Sequence, residues 1–415
     1  MAHTWTWREG APLYISTEAG TLTLSLAGKR NFSFDATGRL LGAWFDGVTY
    51  RRSLDNRILA KWLQPGGLRD RCLLAPDERR RVIETAYADA SHVAHALVAG
   101  DLDTGDTSAE QLAVIAGWLE SVGAWDWSRL EADAAVFHTI YKPVSILPPD
   151  QYLSMVLQAT EGCSYNRCTF CTFYRDRPFR IKRPDEFADH CRRVATFLGA
   201  GIGVRRSIFL ADANAVIIAQ SALVPLLEIV QSNFRIDGHA SRGQAGRFDG
   251  IYAFVSAPDA LHKSADDFTQ MAALGVRRLY VGLETGYDPL RRFLAKPGAA
   301  ADVLSAVSTI KAGGVGVGLI AMVGVGGEQY RDEHRRATLD LVRAMPLDRN
   351  DLVYLSPFVD QEPSPYGEAA RHAALTPMSE TAIRAEARRF KEELLPWTRP
   401  RRLRVSNYDV REFIY

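Results

Sequence analysis

The chain has 415 residues, 47% of them apolar and 24% charged, and its 50 basic and 49 acidic side chains leave a net charge of +1. That length allows two to three domains around large cores, and apolar content with nearly balanced charge excludes disorder as the main state. A charge near zero gives no global pull toward nucleic acid or an anionic membrane, no 18-residue apolar run reads as a transmembrane helix, and MAHTWTWREG is not a signal peptide, so a cytoplasmic protein without membrane contact is expected.

The first 147 residues differ in character from the rest and hold seven of the eight tryptophans. Residues 21–26 (TLTLSL) alternate as a strand does, and residues 31–52 alternate through turns at Thr37-Gly38 and Asp46-Gly47. Helical periodicity follows. Val82, Ala86, Ala90, Val93 and Leu97 share one face of a helix opened by Pro76-Asp77, Leu112, Ile115 and Leu119 mark a second, and residues 128–139 a third. Residues 142–150 carry three prolines and no periodicity, and they read as a linker. These features predict an α+β accessory domain over residues 1–147.

From residue 152 the pattern alternates between strand and helix. Short apolar runs at 152–159, 206–211, 251–257, 277–284, 317–323 and 351–357 are candidate strands, separated by helical stretches near 184–199, 219–233, 264–274, 300–313 and 328–344. Six such units predict an α/β fold, a parallel sheet curled by right-handed crossovers into a partial (βα)6 TIM-like barrel over residues 148–358, with an open doubly wound sheet as the alternative. A helix near 379–395 and a strand-like LRVSNY complete a C-terminal extension over residues 359–415. An incomplete barrel leaves two sheet edges to be covered, and the strands at 21–51 and the extension are the available covers.

The strongest chemical signal directly follows the first barrel strand: Glu161-Gly-Cys163-Ser-Tyr-Asn-Arg-Cys168-Thr-Phe170-Cys171. In parallel α/β folds ligands bind at the carboxyl ends of the strands. Three thiolates are one short of a closed structural zinc site, and they are what a four-iron cluster needs if one iron is left open. Cys191 is the available fourth ligand, but Phe187, Cys191, Val194 and Leu198 fall on one helix face, which reads as core. By the same reasoning Cys72 reads as structural.

C-x4-C-x2-C with an aromatic residue before the last cysteine, at the end of the first strand of a six-unit barrel, resembles the radical S-adenosylmethionine (radical SAM) enzymes. Their usual spacing is C-x3-C-x2-C, so this loop is one residue longer. EGCSYNRCTFCTFYRD is most similar to an uncharacterised group near the elongator-type branch, and the resemblance covers residues about 150–360. It implies a [4Fe-4S] cluster on Cys163, Cys168 and Cys171 with Phe170 beside it, and S-adenosyl-L-methionine (SAM) bound at the open iron. Asp212 and Asn214 stand where the superfamily places acceptors for the methionine amino group; helix N-capping is their other reading. Glu284, in a Gly-Leu-Glu-Thr-Gly segment, takes the place of a ribose ligand; the other reading pairs it with Arg291 or Lys296. Ile320, in the glycine-rich run of residues 314–327, lies where the backbone approaches adenine, although Gly324 to Gly327 also read as a plain strand end.

The implied chemistry is reductive cleavage of SAM to a 5′-deoxyadenosyl radical that abstracts hydrogen from a small-molecule substrate, with reduced ferredoxin or flavodoxin as electron donor. Two isolated cysteines cannot ligate a second cluster, which argues against methylthio transfer and sulfur insertion. Asp237-Gly-His239-Ala-Ser-Arg-Gly243 is one residue too long for a cobalamin loop, though His239 remains a candidate to face the site. Residues 174–183 are locally basic with aromatics, as an RNA grip or a solvated cover would be. RNA modification and a non-enzymatic zinc or iron–sulfur protein remain the alternatives, the latter requiring Cys191 beside the other three.

Overall fold

The computed structural model describes residues 2–65, 67, 69–237, 247–360 and 364–415. Its N-terminal part is a nine-stranded antiparallel sheet in which the first eight strands follow one another as a meander and Leu102–Asp103 pairs beside Ala2–Trp7. Alternation sends Leu13, Ile15, Leu22, Leu24, Phe32 and Phe34 to one face, where they pack with the buried faces of Pro76–Ala99, Ala109–Gly123 and Trp127–Ile140. The strands Ala2–Trp7, Pro12–Ser16, Ile58–Leu63 and Arg69–Leu73 add to those the alternation predicts. Cys72 corrects the structural reading: it lies exposed on Arg69–Leu73, the edge strand of this sheet.

The second sheet has seven parallel strands in sequential order: Met155–Gln158, Ile208–Ala211, Ile251–Val255, Val276–Glu284, Gly316–Val323, Leu352–Pro357 and Arg404–Asn407. The first six are mostly buried, which is why they read as short apolar runs. The crossover helices include Pro184–Leu198, Gln220–Asn233, Ala265–Ala273, Ala300–Ala312 and Gly327–Ala344, and the whole is a partial TIM-like barrel.

Both barrel edges are covered from the barrel's own flanks. The extension supplies the seventh strand on one side. On the other, Tyr141 donates its hydroxyl to the carbonyl of Val156 (3.0 Å), and the Val156 N–H donates to the Tyr415 hydroxyl (2.9 Å). The strands at 21–51 stay in their own sheet. One contact between the two parts is made by Arg39, which is buried against Trp125, pairs with Asp133 (2.7 Å) and donates to the carbonyl of Phe197 (2.8 Å) at the end of a barrel helix.

Candidate active site

A cavity of about 230 Å3 opens at the carboxyl end of the barrel strands. Cys163, Cys168, Cys171 and Phe170 line it from the loop, Asn214 from beyond the second strand, and Glu284 and Ile320 from the fourth and fifth. Seven of the eight residues singled out in the sequence therefore meet on one cavity. Asp212 is the exception. Its buried carboxylate accepts from the Gly162 N–H (3.1 Å), Gln158 Nε2 (3.0 Å) and Arg177 Nη2 (3.1 Å), so it braces the base of the cysteine loop.

The loop is held without a disulfide. Gly162 lies at φ +76°, and a Cβ there would sit 2.9 Å from the carbonyl oxygen of Pro178. Thr169 N–H donates to the carbonyl of Leu294 (3.0 Å), and the Tyr165 hydroxyl to that of Ala295 (2.9 Å). The Arg175 guanidinium spans the carbonyls of Cys168 and Cys171, each at 3.1 Å. Burial raises the Cys168 thiol above its usual pKa and pushes Cys171 up to about 11. Metal binding must displace those protons.

Cys191 is wholly buried on the core face of Pro184–Leu198 and does not line the cavity. Among the described residues no three His, Cys, Asp or Glu side chains converge closely enough to hold a single metal ion. A cluster that spreads its ligands over separate irons does not require that convergence.

The walls carry acceptors. Asn214 donates Nδ2 to Asp259, which also takes the Ser256 hydroxyl, while Asn214 Oδ1 is buried with no partner among the described residues. Asn214 makes no side-chain cap bond to the short helix that follows it. Such an orphan acceptor fits an ammonium group. Glu284 sits at φ +56°, a strained conformation for a non-glycine residue, and its Oε1 accepts from Lys296 Nζ at 2.8 Å. Burial works to lower the Lys296 pKa, but the charges of Glu284 and Cys168 outweigh it and hold the ammonium above its usual value. Arg291 does not pair with Glu284; it donates to the carbonyls of Leu283, Thr285, Pro297 and Gly298. Gly282 leaves room for the ion pair, because a Cβ there would lie 2.3 Å from Glu284 Oε1.

Two expectations take a definite form. Gly324 and Gly326 have positive φ at the end of the fifth strand, and Gly326 opens the helix Gly327–Ala344. The basic run is largely neutralised locally: Arg177 pairs with Asp176 and Asp212, Arg180 with Glu161 and Glu186, and Lys182 with Glu161. His239 lies outside the described residues. Asp259 and Ser256 gave no signal in the sequence, where residues 251–257 read as a strand; the strand ends at Val255, and Ser256 caps the short helix Ala257–Ala260.

Residues 157–342 match the model of the Radical SAM superfamily. The chain carries a radical SAM domain, and enzymes of that superfamily bind a [4Fe-4S] cluster and SAM. Similar solved structures include the cobalamin-dependent S-adenosylmethionine radical enzyme OxsB with aqua-cobalamin and SAM bound, at 11% identity and TM-score 0.37, covering 75% of this chain and 35% of that one. Coproporphyrinogen III oxidase (HemN) from Escherichia coli is 14% identical with TM-score 0.42, over 63% of this chain and 54% of its own. Methylornithine synthase (PylB) is 15% identical with TM-score 0.40, over 76% and 85%. The chain spans about a third of the length of OxsB. No curated protein matches the chain. Among the described residues no helix is long and apolar enough to cross a membrane.

Proposed function

We propose that the protein is a radical SAM enzyme acting on a small-molecule substrate, with Cys163, Cys168 and Cys171 as cluster ligands. One observation carries the reading: three thiols, an unpartnered buried acceptor and a lysine-paired carboxylate surround a single cavity at the carboxyl end of a parallel barrel. Such a cluster, once reduced, supplies the electron that cleaves SAM to methionine and a 5′-deoxyadenosyl radical. Asn214 Oδ1 accepts from the methionine ammonium, Glu284 accepts from the ribose hydroxyls, and Ile320 lies against the adenine. Lys296 fixes the Glu284 carboxylate and keeps positive charge beside Cys168. Phe170 and the buried walls exclude water from a reactive carbon radical. Residues 1–147 act as the accessory domain and residues 359–415 as the extension that closes the barrel. Reduced ferredoxin or flavodoxin delivers the electron. The pairing within residues 174–183 favours a small molecule over RNA.

The test is anaerobic reconstitution followed by iron and sulfide analysis, electron paramagnetic resonance and assay of 5′-deoxyadenosine. One four-iron cluster per chain and SAM cleavage on reduction are expected. A protein that binds one zinc ion and no iron would overturn the proposal.

A further inference from the structure

The cavity has a second half. Ile146 from the linker, Ser356 to Val359 at and just beyond the end of the sixth barrel strand, and Tyr408 and Val410 from the tail all line it, and all lie outside residues 157–342. Ile146 and Val410 are apolar, and Tyr408 presents its ring, because its hydroxyl donates to the carbonyl of Leu147 (2.7 Å). Below, Tyr280 likewise uses its hydroxyl on Asp150 (2.5 Å) and shows the cavity an aromatic surface. Lys296 is the one cation among the described lining residues, and Glu284 holds it. Among the described lining residues a buried phosphate or carboxylate would find no free cation, which is costly; an apolar body would gain by burial.

The tail is tethered to the N-terminal sheet. Arg71 pairs with Asp409, Lys61 Nζ with Glu412 Oε2 (2.7 Å), and Arg51 Nη2 donates to the carbonyl of Ile414 (2.7 Å). Lys61 and Arg71 face each other across neighbouring strands, so two adjacent cations grip the segment on either side of Val410.

We propose that the wall formed by the linker and tail receives a neutral, largely apolar substrate, and that Lys61 and Arg71 are positioning residues that hold this wall against the barrel. The proposal rests on the radical SAM reading, which puts SAM in the other half. The probes are N-phenyl-1-naphthylamine and its anionic counterpart 8-anilinonaphthalene-1-sulfonate, titrated by fluorescence into the anaerobic holoenzyme saturated with SAM.

The neutral probe should bind one per chain alongside SAM, and the sulfonate about tenfold or more weaker, as expected for an uncompensated charge in an apolar site. Val410→Glu should weaken the neutral probe about tenfold or more by the same argument. If that variant fails to fold, Ile146→Asp reads the same wall from the other side. Lys61→Met with Arg71→Met should loosen the neutral probe several-fold while SAM affinity stays unchanged, and Arg71→Lys with Lys61 intact should recover binding. Equal affinity for the two probes, displacement of the neutral probe by SAM, or indifference to Val410→Glu overturns the substrate class. Loss of SAM affinity in step with probe affinity in the double variant overturns the positioning role. A wild-type protein that takes up neither cluster nor SAM refutes the function itself, a separate result.

Discussion

Gly282→Ala should separate the Glu284–Lys296 pair without replacing either residue. The Gly282 backbone is not in the left-handed region, so alanine alone would stabilise the fold by roughly 0.4–1 kcal/mol through the unfolded chain. Its Cβ, however, would stand 2.3 Å from Glu284 Oε1 and 2.7 Å from Lys296 Nζ, where ordinary contact begins at 3.4 Å. The carboxylate must retreat by about 1 Å and the ammonium by less, and the expected outcome is that the 2.8 Å bond between them is broken rather than carried along. Both side chains are only 10–14% exposed, so solvent recovers little of the loss. A charge-assisted hydrogen bond of this kind contributes about 1.5–3 kcal/mol, which leaves a net destabilisation of about 1–2 kcal/mol. Thermal unfolding should shift down by about 1–4 °C, at roughly 1–2 °C per kcal/mol for a chain of this size. If Glu284 also carries the ribose hydroxyls, SAM affinity measured by calorimetry on the reconstituted protein should fall about ten- to hundredfold. A variant that melts at or above the wild type with unchanged SAM affinity would refute both the pairing argument and the ribose assignment.

Alanine at any one of Cys163, Cys168 or Cys171 should abolish stoichiometric cluster uptake and 5′-deoxyadenosine formation, whereas Cys191→Ala should retain both at a small stability cost of about 1 kcal/mol; cluster loss in Cys191→Ala would make it the fourth ligand. Arg291→Met removes the donor from four carbonyls, each costing about 1–3 kcal/mol if left buried and unpaired, so the variant should lose several kcal/mol in denaturant titration; a loss below about 1 kcal/mol would show water replacing the guanidinium. His190 is buried and accepts the Gln158 N–H, and burial lowers its pKa to about 3, so the fold keeps it neutral while the unfolded chain protonates near 6.5. Its contribution is therefore complete above pH 6.5 and lost as pH falls toward 3, and the stability advantage of the wild type over His190→Gln should shrink by about 1.4 kcal/mol per pH unit in that window. An advantage that stays constant between pH 7 and 5 would contradict the assignment.

The barrel was legible because each of the first six parallel strands is buried on both faces and so writes itself as an apolar run, with a helix before the next. The predicted strand at 277–284 and the observed Val276–Glu284 differ by one residue. The N-terminal sheet was only half legible. Thr21–Leu26 alternates cleanly, but Arg69–Leu73 is an exposed edge strand with no buried face to impose a period, and its cysteine sits in solvent for that reason. Ala2–Trp7 has a single fully buried side chain, Trp5, and its pattern is equally faint. Asp212 shows the limit of a motif. The residue type and position suit an acceptor for an ammonium, yet Gln158, Gly162 and Arg177 already occupy its carboxylate from three directions. Those partners come from the end of the first barrel strand and from two points of the loop after it, and no spacing rule announces them.

The two halves of the cavity differ in the same respect. The cysteine side is nearly local: three cysteines within nine residues on one loop, then a carboxylate at the end of one strand and an isoleucine within the next. The opposite wall joins residues 146, 356–359, 408 and 410, separated by up to 264 positions, and it exists because Arg404–Asn407 pairs with Leu352–Pro357 and carries the tail back across the barrel mouth. Ion pairs from a different sheet then fix that tail. If the proposed reading holds, such a division would let substitutions at Ile146, Tyr408 or Val410 reshape what is held against SAM while the cysteine loop keeps every one of its own contacts. A chain that separates its reactive chemistry from its selectivity in this way can change substrate through the wall alone.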